Sequence, residues 1–158
     1  MQLLRKIAFP ISLLYAMVVY LRNVCYDVGI FSSKTYKTPT ICVGNLSTGG
    51  TGKTPMIEWL LRHISTPGKV AVLSRGYRRK SSGFLQVKPE LSVQEVGDEP
   101  LQISNKFPRN IVAVDGSRQR GIQRLEQQFS PSLILLDDAY QHRKVKASMY
   151  ILLTAFND

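Results

Sequence analysis

The chain is expected to fold as an α/β domain: a parallel β-sheet flanked by helices, preceded by a separate apolar helix. Three observations point there. Short apolar runs of four to six residues alternate with helical patterns, as in sheets covered on both faces. One run, "TICVG", opens into the glycine-rich "GNLSTGGTGKTP" (residues 44–55) and then an amphipathic segment. Another, "LILL", ends in two aspartates.

The N-terminal element comes first. Between Lys6 and Arg22 lie fifteen uncharged residues, "IAFPISLLYAMVVYL" (7–21). As a helix they span about 22 Å, short of the roughly 30 Å hydrocarbon core of a bilayer. Pro10 suits a first helical turn better than a helix centre. Arg5 and Lys6 before an apolar stretch resemble a signal peptide, but no A-x-A cleavage site follows and "LRNVC" makes a poor lipoprotein box. Three readings stay open: a helix packed on a core, an interfacial membrane helix, and a full span. Arg5, Lys6, Arg22, Lys34 and Lys37 favour an anionic membrane surface. "SSKTYKTPT" then reads as a linker, dividing an N-terminal region (1–37) from a core domain (38–158).

In the core, residues 40–44 form the first strand and a helix runs from about Lys53 to His63. "TPG" is a turn, and "KVAVLSR" is the second strand. From Arg75 to Pro100 glycine, serine, proline and charges break the pattern, and no element is assigned. "NIVAV" (110–114) is a strand, and Asp115 or Ser117 caps the following helix. "SLILLDD" and "SMYILLT" are the last two strands.

Composition sets the class of partner. The 158 residues are 44% hydrophobic and 20% charged, with a net charge of +10 and a pI near 9.9. That surplus suits a polyanion: nucleic acid, an anionic membrane, or a phosphorylated substrate. Cys25 and Cys42 form no C-x-x-C pair, so a reducing compartment with both thiols buried in apolar surroundings is the simplest reading.

The glycine-rich segment has the position and chemistry of a phosphate loop. Gly49, Gly50, Thr51 and Gly52 bring backbone N–H groups around phosphate oxygens, and the helix N-terminus adds its dipole. Lys53 reaches the β- and γ-phosphates of ATP, and Thr54 offers its hydroxyl to Mg²⁺. Ser47 stands where G-x-x-x-x-G-K-[ST] has its first glycine. Such a loop needs an acidic metal partner at the end of a neighbouring strand, and Asp137 and Asp138 supply it.

"DDAYQHR" (137–143) resembles the D-D-[GA]-[FY]-Q-H-R signature of the tetraacyldisaccharide 4'-kinases, the lipid A kinases. "VGNLSTGGTGKTP" resembles that family's phosphate loop, which has no glycine at the Ser47 position. "LSRGYRR" (73–79) resembles its S-R-G-Y-x-R block, and "VGDEP" (96–100) its G-D-E block. The resemblance covers essentially the whole chain. It implies a P-loop NTPase-like core that phosphorylates the 4'-hydroxyl of a tetraacyl disaccharide 1-phosphate, with ATP and Mg²⁺, at the cytoplasmic face of the inner membrane. Family members are about twice as long, so these residues are expected to correspond to their N-terminal half and to have little transfer activity alone. By the same resemblance Asp98 is the catalytic base, paired with a histidine beyond Asp158, and Glu99 is its neighbour. His63 and His142 do not match that histidine.

The remaining basic and polar residues divide by context. "RGYRRK" carries Arg75, Arg78, Arg79 and Lys80 in six residues. Arg75 and Arg79 suit donor phosphates or a 1-phosphate, and Tyr77 a sugar or acyl chain. Gln141, His142 and Arg143 follow the acidic pair and are expected to line the same crevice. Arg118, Arg120 and Arg124 read as mainly solvated. A competing function is a membrane- or DNA-associated switch ATPase, whose deviant loop K-G-G-x-G-K-[ST] carries a lysine where this chain has Thr48. A nucleic-acid-binding role is disfavoured, because the aromatics sit largely in apolar runs rather than among the basic residues.

Overall fold

The structure is a computed structural model that describes residues 2–45, 52–140 and 142–154, with side chains from residue 12 onward. Its contacts divide the chain into two compact units, 1–33 and 34–158.

The first unit is helix α1 (Gln2–Asp27), which extends the expected 7–21 segment at both ends. Pro10 therefore lies inside the helix rather than in its first turn, where it leaves the Lys6 carbonyl without its helical N–H. After α1 the chain turns back on itself: the Phe31 N–H donates to the Cys25 carbonyl (2.9 Å), and the Tyr26 and Phe31 rings meet edge to face. Leu13, Leu14, Tyr15, Met17, Val18, Tyr20 and Leu21 are exposed. Among the described residues no helix is long and apolar enough to cross a membrane. The full-span reading is thus not supported: charges at Arg5, Lys6 and Arg22 confine the apolar stretch to its fifteen residues.

The second unit is a six-stranded, mostly parallel sheet. Its strands are β1 (Thr40–Asn45), β2 (Val70–Ser74), β3 (Leu85–Gln86), β4 (Ile111–Val114), β5 (Leu133–Asp137) and β6 (Met149–Leu153), in the order β3-β4-β2-β5-β1-β6. All pairings are parallel except β3 against β4. The central strands are mostly apolar up to their carboxyl ends because both faces are covered, and alternate residues point to opposite layers. Ala71, Leu73, Ile134 and Leu136 pack with Ile122 and Leu125 of helix α5 (Arg118–Phe129). Val70, Val72, Leu133 and Leu135 pack with Ile57 and Leu60 of helix α2 (Lys53–His63). The same layer holds Val96 of helix α3 (Val93–Val96) and Ile103 of helix α4 (Asp98–Lys106).

Three elements were not assigned from the sequence. The stretch read as patternless holds β3 and α3 and runs into α4, also unassigned. Both helices are short and polar on their outer face, so no extended apolar period marks them. Glu58, buried on α2, holds α4 in place by accepting from Gln102 (3.0 Å) and Lys106 (2.7 Å), and also from Arg62 (2.8 Å). Residues expected as linker join the core. Lys34 pairs with Val145 through the Lys34 N–H to Lys144 carbonyl and Lys146 N–H to Lys34 carbonyl bonds, and the Thr38 N–H donates to Glu126. Of the two thiols, Cys42 is buried and pushed up to about 11 by that burial, while Cys25 is half-buried.

Gly121 sets how closely α5 approaches β2. In an open helix, alanine there would gain about 0.5–1 kcal/mol. Here its Cβ would lie 2.6 and 2.8 Å from the two Leu73 methyl carbons and 3.2 Å from the Asp115 Cβ, all in the buried core. Overpacking of this kind costs about 1–3 kcal/mol and outweighs the helix gain. Gly121→Ala is expected to lower the urea midpoint at unchanged slope; a midpoint at or above the parent's contradicts the close packing.

Candidate functional site

The site lies where β1, β5 and β2 end side by side. In a parallel sheet those carboxyl ends form the crevice that takes ligands. Lys53 is the first residue of α2, behind Gly52, whose left-handed backbone (φ 83°) starts the helix. Its Nζ donates to Asn45 Oδ1 at the end of β1 (3.0 Å) and stands 3.2 Å from Asp138 Oδ1. The lysine thus bridges two adjacent strand ends. Thr54 follows, half-buried, in the first turn. The expected loop residues Ser47, Thr48, Gly49, Gly50 and Thr51 lie outside the described residues, as does Gln141.

The two aspartates have different surroundings. Asp138 is exposed and adopts a left-handed backbone (φ 50°), a conformation aspartate tolerates better than most residues. Its N–H donates to the Val43 carbonyl (3.0 Å), fixing the turn against β1. Asp137 is only 3% exposed. Ser74, the last residue of β2, donates its hydroxyl to Asp137 Oδ2 (3.0 Å). The other oxygen, Oδ1, is buried with no hydrogen-bond partner among the described residues. Burial pushes the Asp137 carboxyl up to about 6; the Ser74 bond and the Arg118 charge oppose the rise, and the Glu99 and Asp138 charges add to it.

Arg118 corrects one sequence expectation. It is 2% exposed, not solvated, at the first position of α5. It donates to the carbonyls of Asp115 (2.9 Å), Asp137 (2.6 Å) and Asp138 (3.4 Å). Its guanidinium clamps the backbone that presents both carboxylates. Burial lowers its pKa, and the charges of Asp137 and Asp138 work against that. Arg120 is also engaged, in a bidentate pair with the buried Asp115 (both contacts 2.8 Å), while Arg124 is exposed. Ser117 caps α5 by accepting from the Arg120 N–H.

The two arginine- and acid-bearing blocks meet at glycines. Gly97 has φ 92°, and a Cβ there would lie 3.4 Å from the Gly76 Cα and the Tyr77 carbonyl oxygen. "LSRGYRR" and "VGDEP" therefore dock backbone to backbone, next to the Ser74–Asp137 bond. Asp98 and Glu99 are exposed in the first turn of α4, and Asp98 Oδ1 accepts the Glu99 N–H (3.0 Å). Asp98 thus opens the helix, while the Glu99 charge is felt at Asp137.

Other expected site residues fall around this crevice. Arg75 is exposed, and its charge reaches Arg118. Tyr77 is 70% exposed, with the Arg78 guanidinium 5.1 Å from its ring centre. Arg79 is tied into its own loop, donating to Ser81 (3.2 Å) and the Gly83 carbonyl (2.6 Å). His142 and Arg143 are half-buried in the turn after the acidic pair, where the His142 N–H donates to the Ala139 carbonyl. His63 is at the far end of α2, stacked on Trp59.

Three residues of the site were not singled out from the sequence: Asn45, Ser74 and Arg118. Arg118 has a legible signal, because a cation in the first turn of a helix opposes the helix dipole and needs a reason. Ser74 and Asn45 sit inside the "LSRGYRR" and "GNLSTGGTGKTP" stretches, where neither is given a role of its own.

The donor set suits a hard divalent cation of the magnesium kind. Such an ion uses one or two carboxylates and takes its other oxygens from hydroxyl, phosphate and water. The orphaned Asp137 Oδ1 and the Thr54 hydroxyl fit that description. Among the described residues no group of three or more His, Cys, Asp or Glu forms a protein-only cage.

A family model described as tetraacyldisaccharide-1-P 4'-kinase matches residues 4–157. Two curated proteins described as tetraacyldisaccharide 4'-kinase, from Flavobacterium johnsoniae and Flavobacterium psychrophilum, are 54% and 52% identical to this chain. The alignments cover all of this chain and 47% and 46% of those proteins. The chain therefore spans about half the length of the curated relatives it matches. A crystal structure of "apo" form LpxK from Aquifex aeolicus in complex with ATP is similar at a TM-score of 0.86 and 38% identity, over 98% of this chain and 50% of that one.

The Asp137 environment has a measurable cost. A carboxyl at about 6 in the folded chain, against about 3.9 unfolded, binds a proton on folding between those pH values. Folding is therefore favoured in acid, and above pH 6 the buried charge costs roughly 2–3 kcal/mol. Asp137→Asn is expected to raise stability by about 1–3 kcal/mol at pH 8, with the gain vanishing towards pH 4, in urea titrations of the unliganded protein. A gain that ignores pH, or a loss at pH 8, contradicts it.

Proposed function

The chain belongs to the tetraacyldisaccharide-1-phosphate 4'-kinase family, and from that premise we propose that it acts in ATP-dependent phosphorylation of the 4'-hydroxyl of a tetraacyl disaccharide 1-phosphate, a step of lipid A biosynthesis. The observation that carries the reading is the meeting of Lys53, Asp138 and the half-satisfied Asp137 at the ends of β1 and β5. That is the arrangement a P-loop phosphotransferase needs.

In this reading residues 44–55 form the phosphate loop, with Gly49, Gly50, Thr51 and Gly52 cradling the triphosphate. Lys53 holds the β- and γ-phosphates; its present partners, Asn45 and Asp138, keep it extended towards them. Asp137 Oδ1 and Thr54 would hold a magnesium ion, with Asp138 beside them, and that ion would neutralise charge on the phosphate oxygens. Asp98 accepts the proton of the 4'-hydroxyl as that oxygen bonds to the γ-phosphorus and the bond to the β–γ bridging oxygen breaks, releasing ADP. Glu99 keeps negative charge near the same crevice. Arg75 takes a phosphate, Tyr77 packs on sugar or acyl chain, and Arg79 holds the loop that carries them. His142 and Arg143 line the wall after the acidic pair, and Gln141 is assigned a role with them from its place in "DDAYQHR".

A lipid substrate has to be met at a bilayer. The exposed apolar residues of α1 and its flanking cations suit an interfacial helix on the anionic cytoplasmic face of the inner membrane. Helix α1 is assigned that role, and the second unit, 34–158, the nucleotide core.

The test is transfer of label from γ-labelled ATP to a tetraacyl disaccharide 1-phosphate, by this chain and by the chain extended to its relatives' length. Asp98→Ala is expected to lower transfer by about 10²–10⁴-fold with ATP affinity kept, and Lys53→Ala to weaken ATP binding itself. ATP turnover that responds to DNA and ignores the lipid overturns the proposal.

A further inference from the structure

We infer that Ser74 is a positioning residue that orients the Asp137 carboxylate towards the metal; this rests on the reading of Asp137 as the metal-holding carboxylate. Three contacts carry it. First, the Ser74 hydroxyl is the side-chain donor to Asp137, on Oδ2 at 3.0 Å, and Ser74 is itself buried. Second, the Gly76 N–H donates to Ser74 Oγ at 3.4 Å. A serine hydroxyl has one proton. With its oxygen accepting from Gly76, that proton is directed at the carboxylate. Third, Arg118 holds the Asp137 carbonyl, not its carboxylate, at 2.6 Å. Arg118 fixes where the side chain begins; Ser74 fixes how the carboxylate plane is turned.

The consequence is an asymmetric carboxylate. Oδ2 is occupied by the serine and Oδ1 is left buried without a partner among the described residues. Groups that hydrogen-bond a metal-holding carboxylate set its orientation, and losing one typically weakens metal binding 10–100-fold. Ser74 also belongs to the segment that carries Arg75 and Tyr77, and its acceptor bond comes from Gly76, the residue that docks on Gly97. The metal carboxylate and the Asp98 helix are thus aligned by one short stretch of backbone.

The experiment measures Mn²⁺ affinity by electron paramagnetic resonance of the protein with saturating ADP, alongside the urea midpoint. Ser74→Ala is expected to weaken Mn²⁺ binding about tenfold or more and to lower the urea midpoint, because the buried Asp137 loses its hydroxyl donor, and Ser74→Thr, which keeps the hydroxyl, to recover most of both. Asp137→Asn is run beside them. If Asp137→Asn weakens Mn²⁺ binding and Ser74→Ala does not, the role of Ser74 is overturned while the metal reading stands. If Asp137→Asn leaves Mn²⁺ affinity at the parent value, the metal reading fails and the inference with it. If Ser74→Ala and Ser74→Thr lose binding equally, with a lowered midpoint, Ser74 is only a packing residue and the inference is overturned.

Discussion

A carboxylate buried at the end of a parallel strand, with only one of its oxygens satisfied among the described residues, is the constraint around which the rest of the second unit is arranged. Burial of an ionised group is tolerated only where partners or a ligand repay the lost hydration. Asp137 has one hydroxyl donor, a guanidinium on its backbone carbonyl, and nearby acids that make ionisation harder. That balance makes little sense for stability alone. It suits a site where a cation supplies the missing interaction. The neighbouring features follow from it: β2 delivers Ser74, the start of α5 delivers Arg118, and the left-handed turn at Asp138 sends the second carboxylate to Lys53.

The surrounding architecture keeps these parts in register. Parallel pairing of β5 with both β1 and β2 places Asn45, Asp137 and Ser74 together at the carboxyl ends of the central strands. Helices α2 and α4 share one core layer, so the lysine of the glycine-rich segment and the aspartate of "VGDEP" are carried by packed elements. Glu58, Gln102 and Lys106 join those two helices, and the Gly76–Gly97 contact joins the loop after β2 to the start of α4. Precision in phosphoryl transfer depends on positioning of this kind more than on covalent chemistry.

Much of this could be read from the sequence, and what could not has physical reasons. The strands around "TICVG" and "LILLDD" and the helix from Lys53 to His63 were legible because apolar period, glycine and acid punctuation agree locally. The family was legible because "DDAYQHR" combines chemistry and spacing that a glycine-rich loop alone does not. Helix α4 was not legible: its apolar face is short, and its hold on the core comes from Glu58, distant in sequence. Arg118 was misread as solvated because a helix-face pattern cannot show a side chain turning back under the helix to reach a neighbouring strand end. Ser74 lies inside the "LSRGYRR" block, but its role was not legible, because one buried hydroxyl at a strand end resembles any other.

The most direct measurement is the anomalous scattering peak of Mn²⁺ in crystals of the protein grown with a non-hydrolysable ATP analogue. The predicted peak lies against Asp137 Oδ1, in direct contact at about 2.1 Å or through one water, with Ser74 still on Oδ2. A peak coordinated by Asp138, or by Asp98 and Glu99, with Asp137 Oδ1 uninvolved, would contradict it.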